Sequence, residues 1–203
     1  MGVEELTHRE RKKQRTREQI VESAMALFDE RGFEHVTISE IAAAADIAPR
    51  TFFSYFPSKE DVVFHDFDLV FDTIKQRIDA RPEGESTMDA LRAFISDYLS
   101  QVDHKDPAEQ CRRRVISASP SLQQHDRERV GRIEHVIADG LARDLGVQTG
   151  SLRARVVAAA AAAGLLELES YFDKDAPPDD PMAVFDEVFT FVQGGVQALQ
   201  RRG

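Results

Sequence analysis

The 203-residue chain has no tryptophan and a single cysteine, Cys111. One cysteine can form neither an intramolecular disulfide nor a cysteine-based zinc site, and it fits the reducing cytoplasm. The longest apolar run, Val156–Leu166, is too short to span a bilayer, and the polar N-terminus lacks the apolar core of a signal peptide. We therefore expect a cytoplasmic protein that does not contact membranes.

Signatures of a catalytic or metal site are also missing. The six histidines are scattered, and no pair has the spacing of metal ligands on a helix. Neither a glycine-rich phosphate loop nor a nucleophile elbow occurs. Cys111, beside three arginines, is either a redox-sensitive thiol with a lowered pKa or a small buried residue. We expect no enzyme activity, no catalytic residue, no metal and no cofactor.

The stretch Val36–Val63 predicts two short helices joined by a tight turn. Thr37 and Glu40 have the spacing of a capping box, Asp46 stands at the turn, and Pro49 suits the first position of the second helix. One side of the second helix carries Arg50, Thr51, Ser54 and Tyr55, and the other largely carries Phe52, Phe53 and Phe56. Such a pair is either a helix-turn-helix, whose second helix fits the major groove of DNA, or an ordinary helical hairpin.

Residues Thr37–Lys59 resemble the DNA-binding domain of TetR-family transcriptional regulators. The resemblance rests on the Ile-Ala-x-x-Ala core, the Pro-Arg-Thr-Phe-Phe-x-Tyr-Phe segment and the Pro-Ser-Lys-Glu start of the next helix, and it continues back through Arg17–Val36. Phe53 stands where the family often has tyrosine, which removes a phenol that could contact phosphate. We expect DNA contacts from Thr37, Pro49, Arg50, Thr51, Ser54, Tyr55, Lys59, Arg15 and Arg17. Of these, Arg50 and Ser54 would read bases.

Charge is distributed unevenly along the chain. The net charge is −10, yet the tract His8–Arg17 holds six basic residues and one acid, whereas residues 61–203 are acidic. The tract is either a basic arm that approaches phosphates or a solvated tail. With the adjacent helix-turn-helix, the first interpretation predicts salt-dependent DNA binding at one end of an otherwise acidic protein.

The remaining patterns all have helical spacing. A continuous helix is predicted from Lys59 to about Ala80, and later helices at Met88–Val102, Ser121–Leu145, Ser151–Phe172 and Met182–Arg201, with another beginning at Asp106-Pro107 and a polar loop at Asp173–Pro181. The predicted fold is all-α. We divide it into a basic arm and three-helix DNA-binding domain (1–58), a connector helix (59–80) and a ligand-binding and dimerisation domain (81–203).

The last two helices predict a homodimer. Ala158–Ala163, with Gly164, and Gly194-Gly195 in the final helix allow helices to approach closely. The alternative is that both helices are simply buried within one chain. The predicted interface residues are Ala159, Ala163, Leu166, Phe185, Phe189, Val192 and Val196. The resemblance implies the same dimer, which would place two heads on a palindromic operator.

Aromatic and aliphatic residues of the middle helices are candidates for a ligand cavity, although such residues are more often plain core. The candidates are Phe67, Phe71, Phe94, Tyr98, Ile116, Ile137, Leu141 and Leu166. The resemblance implies that a small molecule binds there and releases DNA. Arg112–Arg114 could anchor an anion such as an acyl-coenzyme A, or form a solvated face paired with Asp126 or Glu128. Arg112–Gly146 is loosely similar to actinobacterial-type regulators, some of which respond to acyl-coenzyme A.

Together these features predict a homodimeric, ligand-responsive repressor. Its partners would be a double-stranded DNA operator, a small-molecule effector and a second copy of the chain. The alternative is a helical small-molecule sensor without specific DNA binding.

Overall fold

The computed structural model describes residues 7–101, 106–172 and 181–200. These residues form helices and no strand, which confirms the all-α prediction. The elements are α1 (His8–Arg31), a 3₁₀ turn (Phe33–His35), α2 (Ile38–Ala44), α3 (Pro49–Phe52), α4 (Glu60–Val63), α5 (Phe67–Asp79), α6 (Thr87–Gln101), α7 (Pro107–Ala118), α8 (Pro120–Asp144), α9 (Leu152–Phe172) and α10 (Pro181–Gln200). The predicted helix ends Val102 and Arg201, and all of the predicted loop but Pro181, lie outside the described residues.

The turn between α2 and α3 has the hydrogen bonds of a helix C-cap motif. The amide of Ile47 donates to the carbonyl of Ala42 (2.9 Å) and that of Asp46 to the carbonyl of Ala43 (3.2 Å). Asp46 has φ 52°, the left-handed conformation that its short polar side chain tolerates. The turn therefore forms as predicted, with Asp46 at the position that usually favours glycine.

Helical hydrogen bonds continue beyond α3. The amides of Tyr55 and Phe56 both donate to the carbonyl of Phe52, at 2.9 and 3.0 Å. Residues Pro49–Phe56 thus form about two turns, which we call the recognition segment. Ser58 then caps α4, because its Oγ accepts from the amide of Asp61 at 3.3 Å.

The predicted continuous helix from Lys59 to Ala80 is wrong, because the chain leaves the helix between α4 and α5. Phe64 has φ −105° and ψ 36°, and its side chain is buried. Arg17 Nη2 donates to the backbone carbonyl of His65 at 2.6 Å. The guanidinium therefore satisfies a carbonyl next to the break, and the buried ring fixes the irregular backbone.

The described chain forms two compact units. The first contains the described residues up to Asp66 together with Pro107–His125, and the second contains the remaining described residues. Helix α7 thus belongs with the helix-turn-helix, whereas the sequence had assigned it to the domain at 81–203. The predicted boundaries otherwise stay a prediction.

The first unit is built around buried aromatic rings. Each large apolar side chain removed from water contributes about 1.5–3 kcal/mol. The buried residues include Ile20, Phe28, Phe33, Ile41, Phe52, Phe56, Val62, Val63 and, from α7 and α8, Val115 and Leu122. Polar bonds add to this packing: Ser119 and Ser121 both donate to Glu34 Oε1, at 2.9 and 2.6 Å, and Arg114 pairs with Asp29 at 3.1 Å.

The second unit has a core formed by α5, α6, α8, α9 and α10. Helices α6 and α8 approach closely at Gly140, where a Cβ would lie 2.6 Å from Thr87 Oγ1. Beside this contact Asp144 accepts from the Thr87 amide at 2.6 Å and pairs with the largely buried Arg81. None of the described helices combines the length and apolar character that crossing a bilayer requires.

Candidate functional site

The recognition segment presents polar groups on the surface of the first unit. Arg50 and Ser54 are exposed, as is Pro49, and Thr51 and Tyr55 are half-buried. The rings of Phe52 and Phe56 fill the core below. The structure therefore brings together five predicted DNA contacts on one short segment.

Phe53 differs from its predicted placement with Phe52 and Phe56. Its side chain is 58% exposed, whereas the other two rings are at most 2% exposed. At about 100° per residue, position 53 lies roughly 80° from the centre of the face defined by 52 and 56. Helical geometry could therefore have placed this ring at the surface, but the run of three phenylalanines hid the signal.

Thr37 lies at the N-terminus of α2, where the predicted capping box is present. Its Oγ1 accepts from the Glu40 amide at 3.3 Å and donates to Glu40 Oε2 at 2.7 Å. The Thr37 bonds hold the pKa of Glu40 below its ordinary value. In the unbound chain the exposed Thr37 thus donates its hydroxyl proton within the cap.

Lys59 was predicted to contact phosphate, but the structure uses it inside the first unit. Its Nζ donates to the carbonyls of Phe33 (2.8 Å) and Val36 (3.2 Å) and lies 4.2 Å from the centre of the Phe33 ring. The two carbonyls belong to irregular backbone just before α2, so the ammonium satisfies groups that no helix serves. The third N–H of the ammonium is not used by these two bonds, so the phosphate contact of Lys59 stays a prediction.

Arg17 is also engaged within the first unit, and its DNA contact likewise stays a prediction. Its guanidinium donates to the carbonyl of His65 and lies over the Phe56 ring at 4.8 Å. Arg15, in contrast, is exposed. Of the two predicted contacts on α1, Arg15 is therefore exposed and Arg17 is half-buried.

The basic tract forms the first turns of α1. Thr7 caps this helix through a capping box with Glu10, and the bonds from Thr7 lower the pKa of that carboxyl. The first buried side chain of α1 is Ile20, and Arg17 makes the contact with the Phe56 ring, so residues 8–16 make roughly 14 Å of helix before these contacts begin. Exposed cations along it are Arg9, Arg11, Lys12, Lys13 and Arg15.

The predicted ligand residues are divided between the two units. Ile116 lies on α7 in the first unit, and the other seven lie in the second. Ile137 and Leu141 are completely buried core residues, which favours the alternative of plain core for these two. The other residues are partly exposed: Phe67 stacks on Phe71 with ring centres 5.9 Å apart, Phe94 stacks on Tyr98 at 6.0 Å, and Leu166 is half-buried.

Two of the three arginines after Cys111, Arg112 and Arg114, are engaged with carboxylates. Arg112 donates to both carboxylate oxygens of Glu109, at 2.6 and 2.8 Å, and Arg114 pairs with Asp29. Burial raises the pKa of the Cys111 thiol, which is the opposite of the shift that a redox-sensitive thiolate needs. The structure therefore supports neither the anion anchor nor the reactive cysteine.

The predicted dimer residues separate into surface and core. Ala159 and Ala163 are exposed on α9, whereas Phe189 and Val192 are 6% exposed and belong to the core of the second unit. The prediction that these two lie at an interface is wrong, because the apolar stripe of α10 faces its own chain. The side chains of Phe185 and Val196 lie outside the described part of the structure.

Sequence analysis missed the apolar groups that are exposed on these helices. Phe191 of α10 is 81% exposed, and Leu152 and Val156 of α9 are 75% and 58% exposed. Phe191 lies off the apolar stripe made by Phe189 and Val192. A single ring on the polar side of a helix was the sequence signal that could have indicated its exposure.

Two further features of the described residues bear on function. No group of three or more histidine, cysteine, aspartate or glutamate side chains among them could hold a metal ion. An open polar cleft of about 480 Å³ lies at the loop between α5 and α6, lined by charged side chains such as Arg81, Glu85 and Arg143. The cleft contains none of the predicted ligand residues.

Comparison with known proteins matches both parts of the chain. Residues 20–65 match the family model for bacterial regulatory proteins of the tetR family, and residues 85–197 match that of the MftR C-terminal domain. The second match alone covers more than half of the 203 residues.

Proteins similar in sequence to this chain include transcriptional regulators. MftR of Mycobacterium tuberculosis is 30% identical over 148 residues, which cover 73% of this chain and 75% of MftR. The HTH-type transcriptional regulator TcmR of Streptomyces glaucescens is 36% identical over 94 residues, which cover 46% of this chain but only 42% of TcmR. Among solved structures, NalD, the secondary repressor of the MexAB-OprM efflux pump in Pseudomonas aeruginosa, superposes with a TM-score of 0.66 at 18% identity, covering 90% of this chain and 97% of NalD.

Proposed function

We propose that this chain, which belongs to the tetR family of bacterial regulatory proteins, is a repressor that leaves its operator when a small molecule binds the second unit. The family makes it a DNA-binding transcriptional regulator, and its similar proteins are regulators rather than enzymes. The observation that carries the proposal is the recognition segment, whose donor groups are exposed on a well-packed helix-turn-helix. Because its target is DNA, we place it in the cytoplasm.

We assign the base contacts to Arg50 and Ser54. Arginine can donate two hydrogen bonds to a guanine edge, and a serine hydroxyl can address either base edges or phosphate. Thr37, Thr51 and Tyr55 would donate to phosphates at either side, and Pro49 begins the segment close to the DNA backbone. Arg17 and Lys59 donate to backbone carbonyls within the head, and their remaining N–H groups would add phosphate contacts.

The basic part of α1 would add affinity without sequence information. Each phosphate that a cation neutralises releases counterions, so log K falls by about 0.9 per contact for each unit of log salt concentration. The exposed cations at residues 9–15 supply this component.

We further propose a homodimer formed by α9 and α10. The exposed side chains Leu152, Val156 and Phe191 would supply apolar area, and the small residues Ala159 and Ala163 would allow close helix packing. Two heads of such a dimer would read a palindrome with half-sites about 34–36 Å apart.

The effector would bind among the partly exposed aromatic residues of the second unit. The stacked pairs Phe67–Phe71 and Phe94–Tyr98 offer flat apolar surfaces, whereas Ile137 and Leu141 support them as core.

The test is a fluorescence-anisotropy titration of the full chain with DNA from upstream of its own gene, and with sites selected from a random pool. Specific binding at two chains per site, weakening with salt, is expected. Arg50→Ala should lose about 1–3 kcal/mol of preference for the operator over random DNA. Tight small-molecule binding by a folded chain that never prefers any DNA sequence would instead support a sensor without an operator.

A further inference from the structure

An exposed aromatic ring stands on the surface that the proposed function turns toward DNA. Among the described residues of the first unit, Phe53 is the large apolar side chain that remains exposed, at 58%. Single exposed apolar residues are common and need no explanation by themselves. The position of this ring, however, places it beside the groups proposed to read bases.

Phe53 is the neighbour of Arg50 on the recognition segment. Residues three apart on a helix share one surface, and the helical hydrogen bonds continue to Phe56. Ser54 follows directly and is also exposed. A ring at this place would therefore face the base pair next to the one addressed by Arg50.

One edge of the ring contacts the core of the first unit. Its centre lies 5.7 Å from that of Phe52 at an interplanar angle of 85°, an edge-to-face contact, and Phe52 is fully buried. Phe52 in turn packs against Phe56 with ring centres 6.0 Å apart. Fixing the ring in the free protein lowers the entropy lost when it meets a ligand.

The chemistry of a phenylalanine ring limits what it can recognise. It has no hydrogen-bonding group, so it cannot donate to phosphate or to the polar atoms of a base edge. The one apolar group that a base pair presents in the major groove is the C5-methyl of thymine. We propose that Phe53 packs against a thymine methyl in each half-site of the operator and thereby specifies thymine there; this inference rests on the proposed function.

The experiment removes one methyl group at a time. Each thymine of the operator half-site is replaced in turn by deoxyuridine, and binding is measured with the full wild-type chain, Phe53→Ala and Phe53→Tyr. One position should cost the wild type about fourfold in affinity, the factor that matches burial of one methyl group at about 0.8 kcal/mol. Phe53→Ala should lose that penalty at the same position, and Phe53→Tyr should keep it because the ring remains.

Leu69→Ala is the matched control. Leu69 is 73% exposed, on α5 in the second unit, and its removal should leave the deoxyuridine penalty unchanged. Thermal melts of all variants establish that they are folded.

The failure of the inference differs from the failure of the proposed function. If the wild type binds its operator specifically but every deoxyuridine penalty is the same in Phe53→Ala, the thymine contact is refuted and the regulator stands. If the wild type prefers no operator over random DNA, the proposed function fails and this inference fails with it.

Discussion

Lys59 shows at the scale of one residue how a cation predicted to contact DNA also stabilises its own fold. Its ammonium group has three donors, and two of them serve the carbonyls of Phe33 and Val36. The same group lies over the Phe33 ring, which adds a cation–π contact. Binding a phosphate would therefore compete with bonds that hold the backbone before α2.

We predict that Lys59→Met destabilises the fold. Methionine retains the apolar stem but leaves two carbonyls without their charged donor, at a cost of about 1.5–3 kcal/mol. Urea unfolding monitored by circular dichroism measures this loss. Arg50→Ala is the comparison, because Arg50 is exposed and should change stability by less than about 0.5 kcal/mol. If Lys59→Met keeps its stability but binds DNA more weakly, Lys59 acts by contacting phosphate and does not stabilise the fold.

The proposed DNA contacts could be predicted where they depend on local spacing alone. Arg50 and Ser54 follow Pro49 on a short helix, so their shared surface is visible in the sequence. The internal hydrogen bonds of Arg17 and Lys59 could not be predicted in this way. Each depends on a carbonyl far away in the chain: that of His65 for Arg17, and those of Phe33 and Val36 for Lys59.

At the scale of helices, α8 contains two glycines in contrasting surroundings. A Cβ at Gly140 would lie 2.6 Å from Thr87 Oγ1 and 3.0 Å from Ile78 Cγ2. A Cβ at Gly131 would meet nothing within 4 Å. The glycine at 140 thus allows α6 and α8 to approach, whereas that at 131 has only the entropic cost of glycine in a helix.

The same substitution should therefore have opposite effects at the two glycines. Gly140→Ala should destabilise the protein by about 1–3 kcal/mol through overpacking, and Gly131→Ala should stabilise it by about 0.5–1 kcal/mol through helix propensity. Urea unfolding of both variants gives the two values. A stabilised Gly140→Ala protein would show that α6 and α8 can separate without loss.

A second element-scale prediction concerns the contact of α8 with the 3₁₀ turn. Hydrogen bonds from Ser121 and then Ser119 hold the pKa of Glu34 below its ordinary value of 4.5. The folded state therefore binds this proton less readily than the unfolded state. The resulting stabilisation is complete above pH 4.5 and is lost as the pH falls through the lowered pKa.

We predict that Ser121→Ala flattens the acid side of the stability profile. Without the donated bond the pKa of Glu34 moves back toward its ordinary value, so less stability remains to be lost on acidification. Urea unfolding at neutral pH and in steps down to about pH 3 measures the slope. Ser117→Ala, an exposed serine of α7, is the control and should keep the wild-type slope.

The positions of the helices were predicted well because the signals for them are local in the sequence. The packing of the helices was not predicted. Caps and apolar spacing predicted the start of α2 and both ends of α8 to within one residue. The helix is interrupted after Val63, where the His65 carbonyl accepts a hydrogen bond from Arg17, 48 residues earlier in the chain. The place of α7 in the first unit likewise involves Asp29, which pairs with Arg114, and Glu34, which accepts from Ser119. No sequence pattern predicts these long-range pairs.

At the scale of the whole molecule, α9 and α10 expose apolar groups, which we propose as part of a dimer interface. Phe191, Val156 and Leu152 leave apolar area in water that a second copy would cover. The stripe containing Phe189 could not be recognised from sequence as internal, because a helix face that packs on its own chain and one that packs on a partner have the same pattern.

We predict that Phe191→Asp converts the dimer into monomers. A carboxylate in an apolar interface should weaken association by at least about 2 kcal/mol, and sedimentation velocity at several protein concentrations measures the change. Leu69→Asp is the matched control, because Leu69 is equally apolar and exposed but lies on α5. A wild type that is monomeric, or a Phe191→Asp variant that remains dimeric, would place the interface elsewhere.

The membership of α7 in the first unit has a consequence for recombining such regulators. A chimera that exchanges only residues up to Asp66 would separate Asp29 and Glu34 from the partners Arg114, Ser119 and Ser121 that came with them. The transplanted residues up to 66 would then pack against residues of the recipient protein in place of 107–125. A successful graft has three junctions, at 66/67, 106/107 and 125/126, so that the discontinuous head travels as a whole.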